Sequence, residues 1–148
     1  MNINAPEFIV RWIHLVAAGI LVGGAAYSAI VTLHVLPTVS DAERDGLRER
    51  IRLRWGHLFQ VGLVLALGSG FWNYLAYKMA EHKGQGAYHG VMGVKILLAM
   101  VVFFLGSVLT GRAKAFEPLR QKAGLWQMVN VLLGLAIVAL AGVAHGMK

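Results

Sequence analysis

The 148-residue sequence contains no cysteine. That absence excludes disulfides, thiolate-ligated haem, covalently attached c-type haem and iron–sulfur clusters. Any haem would be b-type, held by His, Met or Lys. Charge is scarce as well: 14% of the residues are Asp, Glu, Lys or Arg, where a soluble domain carries about a quarter. Acid is the scarcer sign, with 7 Asp and Glu against 14 Lys and Arg. No carboxylate falls inside a long apolar run, which argues against a proton-coupled transporter built on a buried Asp or Glu. No serine–histidine–acid set, phosphate loop, zinc-protease motif, internal repeat or low-complexity stretch occurs.

Apolar residues fill the space that charge leaves, at 57% of the chain. Uncharged runs extend from Trp12 to Ser40, Trp55 to Tyr77, Ile96 to Gly111 and Ala123 to Met147. About 20 apolar residues cross a bilayer core, and the third run reaches that length when extended back through Lys95 to Ala87. The expected fold is all-α: one integral membrane domain over residues 1–148, an antiparallel four-helix bundle with helices near 8–36, 41–78, 87–111 and 123–146. The first run is too long for a removable signal peptide, follows Glu7 instead of a basic segment, and lacks a clear small-residue cleavage site. It is read as a retained helix.

The net charge of +7 follows the connections. Arg44, Arg48, Arg50, Arg52 and Arg54 lie between runs one and two; Arg112, Lys114, Arg120 and Lys122 lie between runs three and four. The opposite side carries only Arg11, Lys78, Lys83 and Lys148. By the positive-inside rule both basic connections are cytoplasmic and both termini are on the outer side. The expected location is a bacterial-type inner (cytoplasmic) membrane, multi-pass, with the lipid bilayer as partner and no nucleic acid.

Local signals refine this picture. Pro37 follows the first apolar stretch, where a proline can end a helix. Ser40-Asp41-Ala42-Glu43 has the form of a capping box. Gly84-Gln85-Gly86 marks a flexible loop within Lys78–Ala87, and Pro118 disfavours a continuous helix through the third connection. Trp12, Trp55, Trp72, Tyr77, Tyr88 and Trp126 are placed as an interfacial belt would be. Gly19 and Gly23, and Gly62, Ala66 and Gly70, give small-residue stripes for close helix contact. Packing within the bundle is favoured over a homo-oligomer interface.

The histidines gather at the ends of the runs. With span middles near Gly24, Ala66, Ala99 and Leu135, His14, His89 and His145 each lie about 15 Å from the middle, on the outer side. His34 and His57 lie at similar depth on the inner side, and Lys95 only about 6 Å from the middle of its span. His14 and His34 stand about 30 Å apart along one helix and cannot serve one small site. Arg11 and His14 share a helix face that continues through Ala18, Leu21 and Ala25 and leaves room for a flat ligand. Imidazole to iron and guanidinium to a propionate would suit haem; an interfacial histidine bonded to a carbonyl beside a snorkelling arginine is the plain alternative. His89 and Met92 are side chains that ligate haem iron or copper. A lysine as deep as Lys95 usually faces the bundle interior and pairs with something, unless it snorkels outward. His34 and His57 form a secondary candidate site, or are solvated beside the basic connections. His82 is read as uncommitted, and Ser69 and Asn73 as interhelical hydrogen-bond partners.

Two stretches carry a family resemblance. Arg11-Trp12-Ile13-His14-Leu15-Val16-Ala17-Ala18 with Val22-Gly23-Gly24, and Tyr88-His89-Gly90-Val91-Met92-Gly93-Val94-Lys95-Ile96-Leu97-Leu98-Ala99, resemble the first and third helices of HemJ-type protoporphyrinogen oxidases and CopD-like membrane proteins. Chain length, four spans and the arginine-rich first connection also fit. The resemblance implies haem b, with His14 as a ligand and Lys95 as a functional intramembrane residue. The HemJ motif has a histidine two residues before the lysine, where this chain has Gly93. The resemblance thus implies the cofactor before it implies porphyrinogen oxidation. The CopD-like side implies copper handling, for which His89, Met92, His145 and Met147 would serve.

The leading expectation is a membrane b-type haem protein, an oxidoreductase or electron-transfer protein. His14 is one axial ligand, His89 or else His145 the other, and Arg11 and Lys95 neutralise propionates. A quinol or an outer-face redox partner would exchange electrons with it. A copper-binding or copper-transport protein and a non-catalytic membrane scaffold are the alternatives.

Overall fold

The computed structural model describes residues 5–146; Met147 and Lys148 lie outside the described residues. Four helices are long and apolar enough to cross a membrane: α1 (Ala5–Thr38), α2 (Asp41–Glu81), α3 (Gly86–Thr110) and α5 (Ala123–Gly146). A short helix, α4 (Glu117–Gln121), lies between α3 and α5, with Pro118 in its first turn, where the missing proline N–H costs nothing. No strand occurs among the described residues.

α1 and α2 extend somewhat beyond their expected ends, whereas α3 stops at Thr110, one residue short, and α5 spans 123–146 as expected. α1 runs past Pro37 because its last turn tightens to a 3-10 form over Leu36–Thr38, and the Arg44 side chain then takes over its free carbonyls. Arg44 donates to the oxygens of Leu36, Pro37 and Val39 at 2.9–3.1 Å. The Ser40–Glu43 pair does not form the reciprocal capping box: Ser40 Oγ donates to the Glu43 carboxylate at 2.6 Å instead. α2 continues through Lys78 to Glu81 by way of a π-helical turn at Tyr74–Lys78, and α1 has another at Ser28–Thr32. Such single-turn insertions often accompany functional sites.

α1 packs most extensively on α2, and α3 on α5; the contacts that join these two pairs are sparser. The arginine-rich end is filled by aromatics set into glycines. A Cβ at Gly24 would overlap the Trp55 ring, and one at Gly106 the Phe59 ring. Trp55 is thus a packing residue more than part of an interfacial belt, whereas Trp12 and Trp72 are about 60% exposed. On α2, the stripe of Gly62, Ala66 and Gly70 receives Leu21 and His14 of α1. The Gly19–Gly23 stripe does not pack internally as expected. A Cβ at either residue meets nothing within 4 Å, because α1 turns its Ala17, Leu21 and Ala25 face inward.

Candidate functional site

A cavity lies where the two helix pairs diverge, toward the end that carries the chain termini. Its inner chamber has a volume of about 180 Å³ and its outer chamber about 420 Å³. His14, Asn73, Lys78, Met92 and Lys95 line both, so the chambers adjoin. Leu21, Leu67, Ile96, Val102 and Phe103 give the inner chamber an apolar wall. Glu7, Arg11, Glu81, His82 and His145 give the outer chamber a polar one. Those residues come from the start of α1, the end of α2, the loop after it and the end of α5, which therefore lie together.

His14 is the best-defined group in the cavity. Its Nδ1–H donates to the backbone oxygen of Ala66 at 2.9 Å, with Ser69 Oγ at 3.3 Å from the same nitrogen. Ser69 itself donates to the Leu65 oxygen. The ring rests on Gly70, where a Cβ would come within 2.9 Å of His14 Cε1. This bond is the one a plain helix-packing histidine would make. It also fixes the tautomer so that Nε2 carries a lone pair, and no hydrogen bond among the described residues occupies it. A metal-bound histidine has this arrangement, its second ring nitrogen tied to a carbonyl.

Lys95, half-buried, enters no ion pair and no hydrogen bond among the described residues, although the cavity brings it to the same walls as His14 and Met92. Around the mouth, Glu7 sits 3.9 Å from both Arg11 and Lys78, and Lys78 also pairs with Glu81. Three cations (Arg11, Lys78, Lys95) thus face two carboxylates, an excess suited to an acidic occupant. Asn73 was expected to bond between helices, yet its Oδ1 is buried without a partner among the described residues.

The other expected site residues separate. His89 lines neither chamber; it accepts from Tyr74 O–H through Nδ1 at 3.0 Å and donates through Nε2 to the His82 oxygen at 3.1 Å. Both ring nitrogens are engaged, which leaves none for a metal in this arrangement. His82 is not an uncommitted loop residue. It is 8% exposed, stacks on Tyr88 with centroids 3.7 Å apart and donates to Gln85 Oε1 at 2.8 Å. The supposed flexible loop is short and ordered by these contacts, with Gly84 alone at positive φ, 85°. His145 is exposed on the outer chamber's wall; His34 and His57 are exposed and line neither chamber. Among the described residues no three of His, Cys, Asp and Glu come together as a metal-holding group.

Sequence reasoning missed the backbone oxygen of Ala66 and the roles of Gly70, Tyr74 and Lys78. The small-residue stripe was the available signal: Ala66, Gly70, Asn73 and Tyr74 continue one face of α2 at helical spacing.

The fold and the cavity together define a helical, membrane-spanning type of protein with a histidine- and lysine-bearing apolar pocket. No protein-family description, curated protein or solved structure matches the chain.

Proposed function

We propose that this is a multi-pass protein of a bacterial-type cytoplasmic membrane that binds haem b and acts as an oxidoreductase or electron-transfer protein. The reading takes the four long helices as an antiparallel bundle, with the basic connections cytoplasmic and both termini outside. One observation carries the haem assignment. His14 is anchored through Nδ1 to the Ala66 oxygen at 2.9 Å and keeps Nε2 free on the wall of a cavity. The cavity's chemistry suits the group: its outer chamber alone lies within the roughly 300–1,000 Å³ of ligand sites. Its walls are apolar below and cationic above.

In this reading His14 ligates the iron and Ser69 and the Ala66 oxygen hold the imidazole in place. Arg11, Lys78 and Lys95 neutralise the propionates. The second position would be taken either by the Met92 sulfur on the shared wall or by the His145 imidazole at the outer chamber. When bound, haem supplies one-electron redox chemistry tuned by its axial ligands and by burial. The chain's residues bind the group, orient it, and exclude water from its inner edge.

Met92 and His145 beside His14 also support a second reading, copper binding at the same cavity. An absorption spectrum of the detergent-purified chain, with metal analysis, separates the two. A Soret band that shifts on dithionite reduction is the expected result. A colourless protein that still takes up no haem, or one carrying stoichiometric copper, would contradict the haem assignment. A colourless, metal-free chain would leave a scaffold role.

A further inference from the structure

Helix α2 is longer than a membrane passage requires. It runs from Asp41 to Glu81, 41 residues, or about 60 Å, where a bilayer core takes about 30 Å. Its uncharged part begins at Trp55, so its first turns stand outside the core at the arginine-rich end. The arginines of those turns divide into two groups. Arg44 and Arg52 face the protein. Arg44 bonds to the carbonyls that end α1 and pairs with Asp41; Arg52 bonds to the Gly111 oxygen and pairs with Glu49. Arg48, Arg50 and Arg54 are exposed and enter no ion pair or hydrogen bond among the described residues.

Arg50 and Arg54 lie four apart on one helix face, with the exposed His57 one turn further on. Below them that face stays uncovered. Val61 and Val64 are 46% and 66% exposed, and a Cβ at Gly68 meets nothing within 4 Å. Leu53 and Leu58, on either side of the two arginines, are exposed as well. The two guanidiniums therefore top an apolar stripe that lies against lipid, at the depth of the headgroups. The acids of these turns leave them free. Asp41 is paired with Arg44, and Glu49 with Arg52 and Arg112. Glu43 shares the face but is bonded to Ser40 and stands about 10 Å further out than Arg50. Asp45 is turned about 140° from Arg50 and about 180° from Arg54.

We propose that Arg50 and Arg54 bind the headgroup phosphate of an anionic phospholipid whose acyl chains lie along Val61 and Val64. The planar guanidinium fork matches two phosphate oxygens, and its weak hydration suits a membrane surface. Depth selects a lipid over a soluble anion, because the cations stand where lipid phosphates already are and the stripe beneath them is apolar. Charge selects an anionic lipid over a zwitterionic one. A choline headgroup would bring a cation to a face that already holds two and offers no free carboxylate at their level. The site is independent of the haem reading, since Arg54 is about 18 Å along α2 from Ala66, the partner of His14.

The full chain in a neutral detergent is mixed with equal amounts of dioleoyl-phosphatidylglycerol and dioleoyl-phosphatidylcholine, and bound lipid is counted by native mass spectrometry. The native chain is expected to retain phosphatidylglycerol about five- to twentyfold over phosphatidylcholine, at roughly fivefold for each basic residue near the surface. Arg50→Gln with Arg54→Gln is expected to abolish most of that preference. Arg48→Gln with Lys114→Gln removes the same charge from the same end, away from the stripe, and is expected to keep it. Both double variants are expected to retain native helix content by circular dichroism, because none of the four side chains has a partner among the described residues. A native chain without preference overturns the proposal. Equal loss in the two double variants, the mark of a diffuse basic field, overturns it too. Glycerol 3-phosphate or a hexaglutamate peptide held as tightly as the lipid gives the face to a soluble anion or an acidic protein, and overturns the lipid assignment. A dimer of the native chain that Arg50→Gln with Arg54→Gln dissociates gives the face to a second copy and overturns it likewise.

Discussion

The two ends of the molecule are built from the same kinds of residue and do opposite things with them. At the arginine-rich end, glycine makes room for an aromatic: Phe59 fills the space above Gly106, and Trp55 that above Gly24. Arg52 closes that end, donating to the Gly111 oxygen at 2.7 Å while it pairs with Glu49. At the terminal end, Gly70 makes room for an imidazole, and Tyr74 reaches across from α2 to His89 of α3 instead of filling a glycine notch. The outcome there is a cavity in which, among the described residues, an imidazole nitrogen, an amine and a buried amide oxygen have no partner. In a bilayer, helices gain nothing from hydrophobic exclusion of water, and packing does the work instead. One end spends its small residues on packing, and the other gives packing up for a site.

The contrast can be broken most forcefully at Phe59. Truncation by Phe59→Ala leaves a void in the packed end and is expected to cost about 3 kcal/mol of stability. Phe71→Ala, at the cavity's exposed rim, stays within about 0.5 kcal/mol. Thermal unfolding of both variants in one detergent gives the comparison, and equal losses would erase the distinction between the ends. A smaller effect separates two glycines of α3. Gly106→Ala drives a methyl into the Phe59 ring and costs about 1–3 kcal/mol. Gly93→Ala meets nothing within 4 Å and gains about 0.5–1 kcal/mol from a stiffer helix. The same melts read both, and a destabilised Gly93→Ala would show that the open face of α3 is in contact with something.

Much of the fold was legible because lipid imposes length and polarity on every span. The runs beginning at Trp12, Trp55, Ala87 and Ala123 all became long helices. The ends of α1 and α2 were less legible, since Arg44 caps α1 from eight residues away and a π-helical turn carries α2 beyond Lys78 to Glu81, neither of which leaves a periodic trace. Within the site, His14, Met92 and Lys95 were readable from depth alone: polar or ligating side chains at that level need a reason. His82 and His89 were misjudged because their partners are a neighbouring ring, a carbonyl and a tyrosine one helix away. Such contacts depend on how α2 and α3 meet, not on the composition of the loop. Asn73 was visible as a polar residue in a span. That its oxygen would lack a donor follows only from the three-dimensional arrangement.

The central claim is that the terminal half is open because it is organised around His14. A haem titration followed at the Soret band tests it most directly, with the native chain, His14→Ala and His34→Ala compared at equal concentration. The native protein and His34→Ala, whose residue is exposed at the packed end, are expected to saturate alike and to shift on dithionite reduction. His14→Ala is expected to retain less than about a tenth of the native band, since even the groups that merely support a metal ligand are worth 10–100-fold. Equal Soret bands in all three proteins would contradict the account and remove His14 from the site.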